Sequence, residues 1–491
     1  MARNDDMRGR FAPYIVGLGL VAMALLMVPF IVWALFEGAA AGFIVAAVCS
    51  ALVGAGLVGV GSSRVDPTRR EALLAVLLLW LLVPLFGAVP YVVSGGMSPI
   101  NAIFESTSGF TATGATALSD FGALSRSLFM WRSLTQWIGG IGIIVLFIAV
   151  FPQLAIAGRQ LFFAEAPGPT EERLTPRLRN TANAVLIVYV GLTVLCTLAY
   201  WLAGMSFYNA VAHAFTTIAA SGFSPEPLSF IGFNPTIAWI AVVFMILAGA
   251  NFALQYRVLM SRRPFDLFRD AEFRVYIGIL LVATTLLVFA LRGEYSFVDA
   301  LRHAAFQALS IMTTTGYASA DFAAWPRQAE AVLLVLMFIG GSAGSAAGGV
   351  KVMRWLIISR NTAREVRRAL HPRAVAPVRV GNRVISEDVL RSVSAFIFLF
   401  IGLFVLTTLI LVWFGADFTT AFTASIACVG NVGPGLGAVG PLASFADLHP
   451  VSRVVLSFGM YAGRLEVVTV FVLVNRDFWI LPRRGPISRG G

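Results

Sequence analysis

Four stretches of the chain share one ending: Phe104-Glu-Ser-Thr-Ser-Gly-Phe-Thr-Ala-Thr-Gly114, Ala212-His-Ala-Phe-Thr-Thr-Ile-Ala-Ala-Ser-Gly222, Phe306-Gln-Ala-Leu-Ser-Ile-Met-Thr-Thr-Thr-Gly316 and Thr420-Ala-Phe-Thr-Ala-Ser-Ile-Ala-Cys-Val-Gly430. Each closes in small or hydroxyl residues and then glycine, and the glycines stand 108, 94 and 114 residues apart. A single Thr-Ala-Thr-Gly is an ordinary turn. Four copies in register are an internal repeat, and a repeat decides the architecture before any local motif does.

Long apolar runs flank each copy. A membrane-spanning helix needs roughly 20 mostly apolar residues, and candidate spans lie at 13–36, 39–61, 71–93, 127–151, 182–204, 235–260, 275–291, 328–358, 389–414 and 451–475. The composition agrees. Of 491 residues 58% are hydrophobic and 12% charged, and the mean hydropathy is +0.83. A soluble domain carries roughly 25% charged residues, so this chain lacks the charge to cover a water-facing surface.

The net charge of +11 is distributed by side. Arg3, Arg8 and Arg10 precede the first span, and Arg64, Arg69 and Arg70 follow the second. Arg159, Arg173, Arg177 and Arg179, then Arg257, Arg262, Arg263, Arg269 and Arg274, then eight arginines over 360–391, and finally Arg483, Arg484 and Arg489 all fall on the same side. Residues 205–234 and 415–449 contain no Lys or Arg. The positive-inside rule makes the arginine-rich segments and both termini cytoplasmic, with residues 1–10 a retained tail. The charge labels topology, and no nucleic acid is expected.

The arginine-poor connections are too apolar for exposed loops and hold runs, such as 209–219, too short to span. They read as re-entrant half-helices, whose irregular return strands are tolerated only against protein or water. The expected fold is an all-α integral membrane protein with four helix, pore half-helix and helix repeats in pseudo-fourfold symmetry plus two N-terminal transmembrane helices. Its divisions are 1–64 for the tail and extra pair, then repeats over 65–160, 161–262, 263–372 (with a gating loop at 340–350) and 373–491.

This unit suits a cation. Rings of backbone carbonyls replace the hydration shell in ion filters, glycine permits the positive φ that turns carbonyls to one side, and each half-helix points its partly negative C-terminus at the loop. The candidate filter residues are Ala112, Thr113 and Gly114; Ala220, Ser221 and Gly222; Thr314, Thr315 and Gly316; and Cys428, Val429, Gly430 and Asn431.

Together with Gln136-Trp-Ile-Gly-Gly-Ile-Gly-Ile-Ile, Ala164-Glu-Ala-Pro-Gly-Pro, Thr313-Thr-Thr-Gly-Tyr, Gly340-Gly-Ser-Ala-Gly-Ser-Ala-Ala-Gly-Gly-Val-Lys, Gly433-Pro-Gly-Leu-Gly and Gly463-Arg-Leu-Glu, the chain resembles the TrkH family of potassium-uptake proteins. That family sits within a wider superfamily that includes KtrB and plant HKT proteins. The resemblance runs through nearly the whole chain. It implies potassium as the transported ion, a homodimer in a bacterial inner membrane, and a cytosolic TrkA-type regulatory subunit that carries the nucleotide, ATP/ADP or NAD. Glycine at the first filter position, Gly114, is the potassium-type residue, whereas the sodium-selective HKT branch tends to have serine there.

The eighth span carries five glycines in ten residues at 340–349. Each glycine costs a helix about 1 kcal/mol relative to Ala, so a break and an obstructing loop are expected at Gly340, Gly341, Ser342, Gly344, Ser345, Gly348 and Gly349, an expectation the family's intramembrane gate shares. The milder Gly139-Gly140 and Gly249-Ala250 read as helix packing. Arg464 lies as far into its span as Gly340 does, about 20 Å along the helix, too deep to snorkel. It is expected to face the pore and meet the glycine loop, the alternative being a pair with Glu466. Lys351, the only lysine, closes the loop as anchor or gating residue.

Catalysis has little material here. The three cysteines, Cys49, Cys196 and Cys428, lie in apolar runs and read as core packing. No nucleophile-base pair, metal cluster or nucleotide-binding loop is apparent, so no enzyme activity and no cofactor of the chain's own are expected. A proton- or sodium-coupled secondary transporter remains the alternative to a gated pore, with His213, Glu105 and Asp417 the few protonatable candidates.

Overall fold

A computed structural model of the chain describes residues 10–62, 69–149, 174–372, 376–381 and 383–479. Arg3, Arg8, Arg64, Arg159, Arg173, Arg483, Arg484, Arg489 and the 164–169 motif lie outside the described residues.

Among the described residues the fold is helical apart from one hairpin, in which β1 (Arg379–Val380) pairs antiparallel with β2 (Arg383–Val384). Phe11–Glu37 and Ala40–Val60 form the extra N-terminal pair. They cross at glycines: a methyl on Gly17 would lie 2.6 Å from Gly54 O, and one on Gly54 2.8 Å from Gly17 O. Small residues at this point let two apolar helices approach closely in lipid. The pair docks through Phe30 and Phe43 on the fully buried Trp131, at ring distances of 5.4 and 6.0 Å.

Four units follow. Their first helices are Arg69–Gly87 with its continuation Val89–Val93, Leu174–Leu202, Ala271–Ala290 and Glu387–Trp413. Their half-helices are Pro99–Phe110, Phe207–Ile218, Phe297–Met312 and Phe418–Val429. Their second helices begin at Arg126, Pro235, Arg327 and Pro450. The first helices are the apolar ones. With the N-terminal pair they supply the six described helices long and apolar enough to cross a membrane.

The second helices, sheltered by the first, carry polar residues and are mostly discontinuous. Arg126–Ala149 runs unbroken, but Pro235–Gly249 turns by 100° into Phe252–Ser261. Arg327–Met337 and Val352–Leu370 are separated by the glycine loop, and Pro450–Arg464 gives way to Val467–Val474 at Glu466, whose φ is +65°. The expectation of uninterrupted sixth and tenth spans is therefore corrected. At 250–251 the chain goes extended and Asn251 starts the new helix by accepting the Leu254 N–H at 3.0 Å, an N-cap that outweighs helix continuity. Cys196 and Cys428 are buried as expected, whereas Cys49 is exposed on the outer face of the N-terminal pair.

Candidate functional site

Each half-helix opens on a side-chain cap. Ser98, Ser206, Ser296 and Asp417 accept the N–H groups of Asn101, Asn209, Asp299 and Thr420. The helices then run for 12, 12, 16 and 12 residues toward a common centre. At their ends the backbone turns left-handed twice, two residues apart: at Ala112 and Gly114, Ala220 and Gly222, Thr314 and Gly316, and Asn431 and Gly433, with φ from +51° to +102°.

These four turns close a ring. The α-carbon face of Gly114 packs on the carbonyl oxygen of Ser221, that of Gly222 on Thr315 O, that of Gly316 on Val432 O, and a methyl on Gly433 would lie 2.9 Å from Thr113 O. In every case the glycine of one loop abuts the carbonyl just before the glycine of the next. No side chain fits between them. The ring also sets the register of the fourth loop: the triplet equivalent to 112–114 is Asn431-Val432-Gly433, which shares only Asn431 with the Cys428, Val429, Gly430 and Asn431 expected from sequence. Cys428 and Val429 are the last helical residues, and Gly430, at φ −83°, is the helix cap.

Side chains brace the ring from behind. Gln136 donates to Ser221 O at 2.8 Å and accepts from Ser221 Oγ and Phe223 N at 2.9 Å. Seven residues before each left-handed residue stand Glu105, His213, Gln307 and Ala424. Glu105 accepts the Ala117 N–H at 2.7 Å and pairs with Arg132 at 2.5 Å. His213 bonds Ser224 Oγ at 3.1 Å and Asn209 O at 2.8 Å, and Gln307 donates to Tyr317 O at 3.0 Å. Glu105 and His213 thus fasten the returning strands, and Asp417 is the fourth helix cap.

On the arginine-rich side of the ring the loop from 338 to 351 packs against the third and fourth turns. It is held to the ring by the Gly348 N–H, which donates to Thr314 Oγ1 at 2.6 Å, and a methyl on Gly348 would lie 2.7 Å from Gly430 O. The broken sixth span supplies acceptors that an intact helix would have used internally: Gly249 O takes the Ser342 N–H at 2.8 Å and Ala248 O the Ala346 N–H at 3.3 Å. Buried Glu272 gathers both ends of the loop, accepting from Ala343 N at 2.7 Å and Met353 N at 3.0 Å. Lys351 donates to Ala347 O. Arg464, 3% exposed, spans two repeats by donating to Ala346 O at 3.0 Å and Gly139 O at 3.1 Å. Glu466 pairs with Arg354 at 2.6 Å instead, so the Arg464–Glu466 alternative does not occur.

Residues 43–478 match the family model for TrkH, described as a cation transport protein. The chain belongs to the TrkH family. It is 36% identical to the Trk system potassium uptake protein TrkH of Halomonas elongata over 95% of this chain and 98% of that one. It is 39% identical to the TrkH of Escherichia coli K12 over 84% and 86%. The crystal structure of the potassium transporter TrkH from Vibrio parahaemolyticus superposes with a TM-score of 0.88 at 34% identity, covering 96% of this chain and 100% of that one.

In this TrkH-family chain the sequence-predicted residues come together in two layers. Residues 112–114, 220–222 and 314–316 with Asn431 form the ring, and 340–349 with Lys351 and Arg464 form the layer beneath it. Val432 and Gly433, which complete the fourth turn of the ring, were not among the candidates read from sequence, nor were the supports Asn251, Glu272 and Gln136. The spacing from cap to left-handed residue was the available signal. It is 14 residues for Ser98, Ser206 and Asp417 and 18 for Ser296, the third half-helix being one turn longer.

Proposed function

We propose that the chain conducts potassium inward across the bacterial inner membrane, through a carbonyl-lined filter gated by the 340–350 loop and Arg464, with both termini cytoplasmic. The closed ring of Thr113, Ser221, Thr315 and Val432 carbonyls carries this reading. A monovalent cation entering low dielectric faces an idealised cost of order 20 kcal/mol. Ringed carbonyls offset this by standing in for water, and four half-helix C-termini add about half a negative charge each. The relatives' names supply potassium as the ion.

The gate reading rests on placement. The loop lies under the ring, and a guanidinium fixed there by two carbonyls is a positive charge on the cation's route. A second copy of the chain and a cytosolic TrkA-type subunit carrying ATP/ADP or NAD are the proposed partners, acting through the arginine-rich segment at 360–391. Coupling to protons or sodium is the second reading. Glu105, His213 and Asp417 are each engaged in bracing or capping, which favours the uncoupled pore. Uptake of radioactive rubidium into proteoliposomes with pH and sodium gradients clamped tests it: flux is expected to persist, and its loss under the clamp would favour the coupled transporter.

A further inference from the structure

Beyond its 100° bend, Phe252–Ser261 departs from the direction of the preceding helix on the arginine-rich side of the molecule. Between this helix, the turn Pro264–Arg269, the start of Ala271–Ala290 and the β1–β2 hairpin lies a cavity of about 710 Å³. Its lining is of two kinds. Arg257, Arg269, Arg274 and Arg383 outnumber Asp266 and Asp270. Both carboxylates are already engaged, Asp266 with Arg269 at 2.9 Å and Asp270 with the Phe273 N–H at 2.7 Å. Arg274 and Arg383 are exposed and make no ion pair among the described residues. The remaining lining is apolar, with Val258, Met353, Val384 and Val389 among it.

A cleft with uncompensated guanidinium groups beside an apolar lining suits an anion with a hydrocarbon tail. The adjoining surface has the same mixed character: Leu259, Met260, Phe265 and Phe268 are 53–79% exposed, next to Arg262 and Arg263. Apolar side chains interleaved with arginines mark a segment that lies in a membrane interface, and basic clusters at the cytoplasmic leaflet attract anionic lipid. We propose that this cleft is a regulatory site for an anionic phospholipid, its phosphate on Arg274 and Arg383 and its glycerol and upper chains along the apolar lining.

The same elements hold the glycine loop, which gives the site its regulatory reach. Phe252, the first residue of the bent helix, donates its N–H to Gly344 O at 3.1 Å. Met353, in the cavity lining, bonds through its N–H to Glu272, which also holds Ala343. A lipid that fixes the helix against Met353 therefore bears on both ends of the loop. This effect on flux rests on the gate reading above, whereas binding itself does not.

The test uses the full-length protein in detergent, titrated with dioctanoyl phosphatidylglycerol, dioctanoyl phosphatidylcholine and inorganic phosphate. Phosphatidylglycerol is expected to bind in preference, and an Arg274→Gln/Arg383→Gln protein to bind it about tenfold or more weakly. Equal binding by the double variant or of phosphatidylcholine would overturn the site, and equal binding of inorganic phosphate would assign it to a soluble anion. A photocrosslinker at Val384 in native membranes should form a phospholipid adduct; an adduct with protein and none with lipid would overturn the proposal for a correctly folded chain. In phosphatidylcholine vesicles, rubidium flux should change several-fold when about one-fifth phosphatidylglycerol is added, and this response should vanish in the double variant. A protein that binds the lipid but carries no rubidium faults the pore reading, not the site.

Discussion

At the residue scale, position 433 separates the two registers of the fourth loop. Gly433 has φ +102° and faces Thr113 O, so a side chain there adds strain of roughly 1–2 kcal/mol and displaces that ring carbonyl. Gly433→Ser is expected to lower the preference for rubidium over sodium about tenfold, an energy of 1.4 kcal/mol. Gly430→Ser has an ordinary helical φ, and its added Cβ would press at 2.7 Å on Ile426 O in the half-helix, not on a ring carbonyl, so it should change the preference less; measured as competing flux into proteoliposomes, the reverse ranking would restore the register read from sequence. Arg464 makes its two bonds through one planar guanidinium, which an ammonium does not reproduce. Arg464→Ala and Arg464→Lys should both raise rubidium leak when the regulatory subunit holds its closed-state ligand. A leak as low as wild type in Arg464→Ala would remove the arginine from the gate.

At the scale of elements, the molecule breaks helices where it needs acceptors. Ending Pro235–Gly249 early frees Ala248 O and Gly249 O for the glycine loop, and Asn251 makes the break affordable by capping the next helix. Asn251→Ala should cost about 1 kcal/mol of stability and let the helix extend, withdrawing those acceptors. Hydrogen exchange across 340–350 is then expected to speed up, and unchanged exchange would mean that the break does not hold the loop. These elements also mark where sequence was readable. Four glycine endings between apolar runs gave the repeat, and five glycines in ten residues gave the loop. The sixth-span break was obscured because Gly249-Ala250 alone is compatible with a packed helix, and the deciding residue was a single Asn inside an apolar run. The fourth register was ambiguous because Gly430 and Gly433 both follow a valine, and in sequence only the cap-to-turn spacing set by Asp417 separates them.

At the scale of the whole molecule, arginine placement and the direction of the half-helices describe one orientation. In a cysteine-free background, Gly381→Cys on the hairpin should react with an impermeant reagent only from the cytoplasmic side, and Ala446→Cys only from the outside. Labelling of both from one side would contradict the topology. In the proposed pore, four loops of one chain surround one cation. Anomalous scattering from crystals grown in rubidium measures this directly. A peak ringed by the carbonyl oxygens of Thr113, Ser221, Thr315 and Val432 is the predicted result. A ring without a peak, or an ion held at 428–430 instead, would contradict it.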